Sequence, residues 1–382
     1  MRTVCLCTTD MRMWIEKFMD TFFPIPFYLF CKTIKKYGGL SGRGLFHALP
    51  WIVKTTAFEP FRWIELALYN KKIKSSAIET DPLFILGYYR SGTTYLQNMF
   101  MHDNRLGYTS IYQTIFPELM LAFEKRLTPF LEKISKAFKM QNHFHRIPFT
   151  WYSPGEEDVA MISFINVNAA QWGVLFPEKA IETFTKYALF ENISPEELHN
   201  WKNSYLYLIK KISIVNNGKP LVLKSPLNTA RVNQLLSLFP NAKFVYISRN
   251  PVHVYASSKR LWEMIIQNYI LGRCSAVNIQ QIIIDTYSRS IDSYMKYKLL
   301  IPQGRLIEIS YEDFIMQPID TIKQIYDRLS LGNFDFCNEA MNRYVLDQQK
   351  YKTLKYVLDQ KELNLIEHQL APYIHYWSQI KE

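Results

Sequence analysis

Cations and hydroxyls recur in three short clusters of this chain. The first is Gly87-Tyr88-Tyr89-Arg90-Ser91-Gly92-Thr93-Thr94. The second is Lys224-Ser225, and the third is Ser248-Arg249-Asn250-Pro251, continuing through His253 to Ser257. Together they offer donors to two separate anionic groups and no obvious metal ligand. Three carboxylates, Glu156, Glu157 and Asp158, follow a Pro154-Gly155 turn. In that place they either take a proton from a reacting hydroxyl or open a helix, where acidic residues are favoured.

The clusters need elements that bring them to one point. Leu83 to Leu86 is a short apolar run between Asp81-Pro82 and Gly87. Leu96, Met99 and Phe100 then recur at helical spacing, which predicts strand, Gly-containing loop, helix. Such a loop aims unpaired N–H groups and the positive end of a helix dipole at an anion. Pro220 to Leu223 and Lys243 to Ile247 read as strands joined by a helix with Val232, Leu235, Leu236 and Phe239 inside, a βαβ unit with parallel strands. Arg305 to Ile309 supplies a later strand, followed by a helix with Ile322, Ile325, Tyr326 and Leu329. Ser194-Pro195-Glu196-Glu197 is a capping box that opens another helix. Open α/β sheets bind ligands at the carboxyl ends of their strands, where all three clusters should gather.

Compared with the triphosphate-binding loop G-x-x-x-x-G-K-[ST], the first cluster differs informatively. Thr93 stands where that loop has its Lys, and the cation has moved inside the loop to Arg90. The strand ending in Arg249 likewise offers no Asp for magnesium. Phosphate can be held here without the usual triphosphate and metal equipment.

A chain that is 48% hydrophobic, with 25 Phe and 25 Tyr, excludes disorder and supplies a large core, and the formal charge of +11 implies an acidic partner such as a nucleotide, an anionic membrane or nucleic acid. The 5 Cys are too few and scattered for a disulfide framework, which fits a reducing compartment. His143 and His145 lack a matching third ligand, a weak case for zinc. No segment reaches the roughly 20 apolar residues that span a bilayer, so the chain is expected in the cytoplasm. Met11, Trp14, Ile15, Phe18, Met19 and Phe22 form an apolar stripe, followed by Lys32, Lys35 and Lys36. That pattern suits either a peripheral anchor on anionic lipid at the inner face of the membrane or packing on the domain. Gly38 to Gly44 reads as a flexible break, Phe58 to Asn70 as a helix and Leu119 to Met140 as another; Asp103 to Pro117 gives no clear period.

In order, GYYRSGTT, LVLKSP, FVYISRNPVHVYASS and IEISYEDF resemble the motif set of sulfotransferases that use 3′-phosphoadenosine 5′-phosphosulfate (PAPS). The long N-terminal preamble and the acidic segment after Pro154 are similar to a bacterial branch that includes ω-hydroxy-menaquinone sulfotransferases. The resemblance implies an α/β fold: a P-loop-like parallel sheet flanked by helices over residues 81–382, with a helical extension over 1–80. It further implies transfer of a sulfuryl group from PAPS, as co-substrate and without a metal, to a hydroxyl of an apolar or lipid-like acceptor. The 5′-phosphosulfate loop would be Gly87, Arg90, Ser91, Gly92, Thr93 and Thr94, and the 3′-phosphate site Arg249 and Ser257. Tyr311 would lie near the adenine, and Lys355 and Tyr356 in a basic, aromatic C-terminal segment. Arg90 and Lys224 would stabilise charge on the transferred group, with Glu156 or Glu157, and Asp158 third, as the base. Two departures stand out: Asn228 where many relatives place a His after Lys-Ser-Pro-x, and Tyr88-Tyr89 before the loop's Arg. The competing readings are a kinase-like nucleotide enzyme, disfavoured by the missing loop Lys, and a noncatalytic basic protein on membranes or nucleic acid.

Overall fold

The computed structural model describes residues 25–138, 150–164, 168–348 and 358–381. The apolar stripe from Met11 to Phe22, the His143/His145 pair and Lys355-Tyr356 lie outside them.

Five parallel strands form one sheet: β1 (Leu83–Leu86), β2 (Gly107–Tyr108), β3 (Leu221–Lys224), β4 (Lys243–Ser248) and β5 (Leu306–Ser310), in the order β2-β3-β1-β4-β5. The β3–helix–β4 unit is present as expected, its two strands both parallel to β1, which lies between them. All four residues of β1 and of β3 are buried, as a parallel sheet covered on both faces requires. Alternate side chains of β1 enter two different cores. Phe84 and Leu86 join Leu223, Phe244 and Tyr246 under the Pro195–Val215 helix. Leu83 and Ile85 join Val222, Val245 and Ile247 with Leu96, Met99 and Phe100 of the helix after the loop. The Ser194 capping box forms with both of its hydrogen bonds.

Three local expectations change. Gly38 and Gly39 do turn the chain at positive φ, but Gly42 and Gly44 already belong to a helix of 34 residues, Gly42–Ser75, that runs through Pro50 and Pro60. Ser41 caps it by accepting from the Gly44 amide, and a Cβ on Gly44 would lie 1.8 Å from the carbonyl oxygen of Leu271, so the helix approaches that backbone as only glycine permits. The helix expected from Leu119 starts at Glu124, because Leu119 to Phe123 is taken up in turns. The segment without a period, Asp103 to Pro117, holds β2 and the short Ile111–Ile115 helix. Strand and helix there are too short to leave a periodic signature.

The long helix is tied to the sheet domain by a buried ion pair. Lys211 Nζ donates to Glu65 Oε1 at 2.6 Å, and the other Glu65 oxygen accepts from the amides of Leu121 and Ala122.

Candidate active site

β1 ends at Leu86, and the next six residues turn through backbone conformations that explain their types. Gly87 has φ 147°, and a Cβ there would sit 2.8 Å from the Ile247 carbonyl oxygen. Gly92 has φ 97°, and its Cβ would fall 2.3 Å from the Tyr311 ring. Between them Arg90 itself is left-handed, with φ 68°, a conformation that costs a non-glycine residue free energy and clusters at functional sites. The Thr93–Phe100 helix starts from Gly92 with no side-chain cap, so its first-turn amides remain available to an anion.

The ends of β4 and β5 close on this loop. Arg90 Nε donates to Ser257 Oγ at 2.9 Å, and Arg249 Nη1 donates to the Arg90 carbonyl oxygen at 2.8 Å. The Arg249 guanidinium lies 4.4 Å from the centre of the Tyr311 ring. Arg249 Nε is buried with no partner among the described residues, an unused donor of the kind an anionic ligand satisfies. Four residues named from three separate sequence motifs thus form one cluster.

β3 contributes Lys224, whose side chain is only 3% exposed. Its Nζ donates to Glu156 Oε1 at 2.5 Å and reaches Thr94 Oγ1 at 3.5 Å, linking the acidic segment to the loop. The three consecutive carboxylates have three different surroundings. Glu156 is partly open, at 28%. Glu157 is fully buried and accepts from the Lys224 amide at 3.0 Å, Asn228 Nδ2 at 2.6 Å and the Tyr205 hydroxyl at 3.2 Å. Burial, helped by the neighbouring charges of Asp158 and Glu156, pushes its carboxyl up to about 7, outweighing the hydrogen bond from Asn228, which favours the charged form. Asp158 makes a buried ion pair with Arg231, which also donates to the Tyr187 carbonyl oxygen at 2.7 Å and lies over the Trp201 ring. Burial raises the Asp158 carboxyl, and Arg231 opposes the rise.

Beside this polar cluster is an apolar pocket lined by Tyr88, Tyr89, Phe184, Leu227, Ser258 and Trp262, among others. Ser258 adjoins Ser257 in sequence, and its buried hydroxyl has no partner among the described residues. Burial raises the Tyr89 hydroxyl far above the usual phenol range, and the neighbouring charges of Glu156 and Asp158 add to the rise. The Tyr88-Tyr89 departure therefore forms one wall of the pocket, next to Glu156.

Arg231 and Thr229, whose hydroxyl accepts from the Gly87 amide at 2.8 Å, carry no local sequence signal and were not anticipated, and the helical spacing that places Tyr205 on a buried face does not reveal its bond to Glu157. Asn228 was noticed only as a missing His; here it anchors Glu157.

A parallel sheet whose central strand opens into a phosphate-type loop, with cations at the ends of the flanking strands, defines an anion-binding α/β enzyme. The Sulfotransferase family model matches residues 82–335, and the chain belongs to that family. It is 26% identical over 304 residues to the omega-hydroxy-beta-dihydromenaquinone-9 sulfotransferase Stf3 of Mycobacterium bovis, covering 78% of this chain and 76% of that protein. In fold it is similar to sulfotransferase STF9 of Mycobacterium avium, with TM-score 0.66 and 14% identity over 88% of this chain and 86% of that one. Sulfotransferase STF1 of Mycobacterium tuberculosis gives TM-score 0.65 and 15% identity over 90% of both chains.

Proposed function

We propose that this sulfotransferase takes its sulfuryl group from PAPS and passes it to the hydroxyl of an apolar, lipid-like acceptor. The observation that carries the reading is the junction of the Arg90–Ser257–Arg249–Tyr311 cluster with the apolar pocket, through Tyr89 and the Ser257-Ser258 pair. Arg249 and Ser257 hold the 3′-phosphate. The amides and hydroxyls of Ser91 to Thr94 hold the 5′-phosphosulfate, and Tyr311 borders the adenine. The acceptor chain lies in the pocket, which suits a hydroxylated lipid of the menaquinone kind named for the Mycobacterium bovis relative. On this reading the enzyme works in the cytoplasm and meets its acceptor at the inner face of the membrane.

Glu156 is the base. It is the partly open member of the acidic segment, whereas Glu157 and Asp158 are committed to buried partners. The donor's negative charge draws Lys224 away from Glu156 towards the sulfuryl oxygens and frees the carboxylate. Glu156 then takes the acceptor's hydroxyl proton as the acceptor oxygen bonds to sulfur. The bond from sulfur to the 5′-phosphate oxygen breaks, and 3′-phosphoadenosine 5′-phosphate leaves with the electron pair. Arg90 and Lys224 stabilise charge on the transferred group and the leaving phosphate.

Isothermal titration tests the donor. 3′-Phosphoadenosine 5′-phosphate should bind without magnesium, and ATP poorly; tight, magnesium-dependent ATP binding would favour the kinase-like alternative. A charge-assisted hydrogen bond contributes about 1.5–3 kcal/mol, so Arg249→Ala should weaken PAPS binding about tenfold or more. The same change should largely erase the preference for PAPS over adenosine 5′-phosphosulfate, which lacks the 3′-phosphate. Equal weakening of both donors sinks the assignment of Arg249.

A further inference from the structure

The Gly42–Ser75 helix is apolar on both sides, and among the described residues only one side is covered. Its inner face, at Gly44, Ala48, Trp51, Thr55, Glu65 and Ile73, is buried against the domain. Its outer face carries Leu45, Phe46, Leu49, Trp63, Ile64 and Leu68, all exposed, Leu45 at 63% and Leu68 at 66%. At 1.5 Å per residue this band is about 35 Å long. A helix that is hydrophobic all round is ordinarily buried on all sides or placed in lipid. No described helix is long and apolar enough to cross a membrane, so this one would lie along a surface rather than span.

The charges say which surface. Both carboxylates on the helix are already matched: Glu59 pairs with Arg62, and Glu65 with the buried Lys211. What remains exposed at its ends is cationic, Arg43 at one end and Lys71, Lys72 and Lys74 at the other. Exposed Phe27 and Tyr28, with Lys32 and Lys35, extend the pattern onto the preceding Phe27–Lys36 helix. Apart from Glu79, exposed just beyond the helix, the charges flanking these apolar residues are positive or paired, which complements an anionic lipid bilayer, where burial and electrostatic attraction add.

We infer that the outer face of Gly42–Ser75 is the docking surface of this enzyme for an anionic membrane. The helix also shares a wall with the acceptor pocket: Trp172 packs on Trp51, and the next two residues, Gly173 and Val174, line the pocket. The docking surface does not rest on the acceptor reading, since it requires vesicle binding whatever the acceptor is.

Co-sedimentation of the full chain with lipid vesicles tests it. Wild type should bind phosphatidylglycerol-rich vesicles at least about tenfold more tightly than phosphatidylcholine vesicles. The double variant Leu49→Glu/Ile64→Glu should lose about tenfold or more. The triple variant Lys71→Gln/Lys72→Gln/Lys74→Gln should lose several-fold together with most of the salt dependence. A control on exposed apolar residues elsewhere, Leu299→Glu/Met316→Glu, should bind as wild type does. Thermal unfolding establishes that each variant is folded, and the triple variant, confined to exposed lysines, carries the test if the double variant is not. The inference is overturned if wild type ignores anionic vesicles, or if the folded variants bind as tightly as wild type. It is also overturned if the double variant merely turns a wild-type dimer into monomers while neither form binds vesicles, which would make the face a self-interface.

Discussion

The loop from Gly87 to Thr94 and the acidic segment from Glu156 to Asp158 meet at Lys224, yet they are built in opposite ways. In the loop, residue type follows from the local backbone: two glycines and a left-handed Arg90 make the turn, and the helix start supplies the donors. In the acidic segment the local backbone says little. Three neighbouring carboxylates differ because Tyr205, Asn228 and Arg231, brought from far along the chain, take up two of them and leave the third. Motifs made of backbone geometry can be read locally. Roles assigned by distant partners cannot.

That contrast can be broken experimentally, starting where the effect should be greatest. Arg231→Ala leaves Asp158 buried without its partner, and removing one member of a buried pair costs about 3–5 kcal/mol. The denaturant midpoint should fall sharply; a midpoint unchanged within error would mean that Asp158 is not committed to structure. Glu156→Gln should do the reverse, lowering kcat about 10²-fold or more while the unfolding midpoint and the affinity for 3′-phosphoadenosine 5′-phosphate stay within twofold. Full turnover in that variant would place the base elsewhere.

Glu157→Gln should have the smallest effect and a distinctive one. It sets an amide against donors that now meet a carboxylate, costing about 1–3 kcal/mol of stability. It also removes a titration. Because the folded-state carboxyl sits at about 7, above its ordinary 4.5, the folded protein keeps a proton that the unfolded chain has lost between those values. Stability from this group is therefore full below about 4.5 and is lost as pH rises to about 7. Urea midpoints across that range should fall less steeply in Glu157→Gln than in wild type. Identical slopes would mean that Glu157 is already ionised in the fold.

Legibility followed the same division. Leu83–Leu86, the loop and the cations at the ends of β3 and β4 could be placed from the sequence, because short apolar runs, glycines and capping residues act on their neighbours. The Ser194 capping box likewise forms where it was read. The acidic segment could be found but not apportioned. The start of the Gly42–Ser75 helix was hidden by glycines that look like a break and instead serve a close approach to Leu271. Its two apolar faces also blurred the amphipathic period that would have revealed the helix at full length. Arg231 was invisible because nothing near it in sequence hints at Asp158.

The sheet order also bears on how the chain acquires its structure during synthesis. β1 emerges first of the five strands, but its partners are Val222 to Lys224 on one side and Lys243 to Tyr246 on the other. Until the ribosome has passed Lys224, this wholly apolar strand has no partner for either edge, and until it has passed Ser248 only one edge can be paired. Pairings so distant in sequence fold slowly, and exposed unpaired strands invite aggregation. A nascent chain stalled between β1 and β3 should therefore depend on chaperones far more than one released after β4.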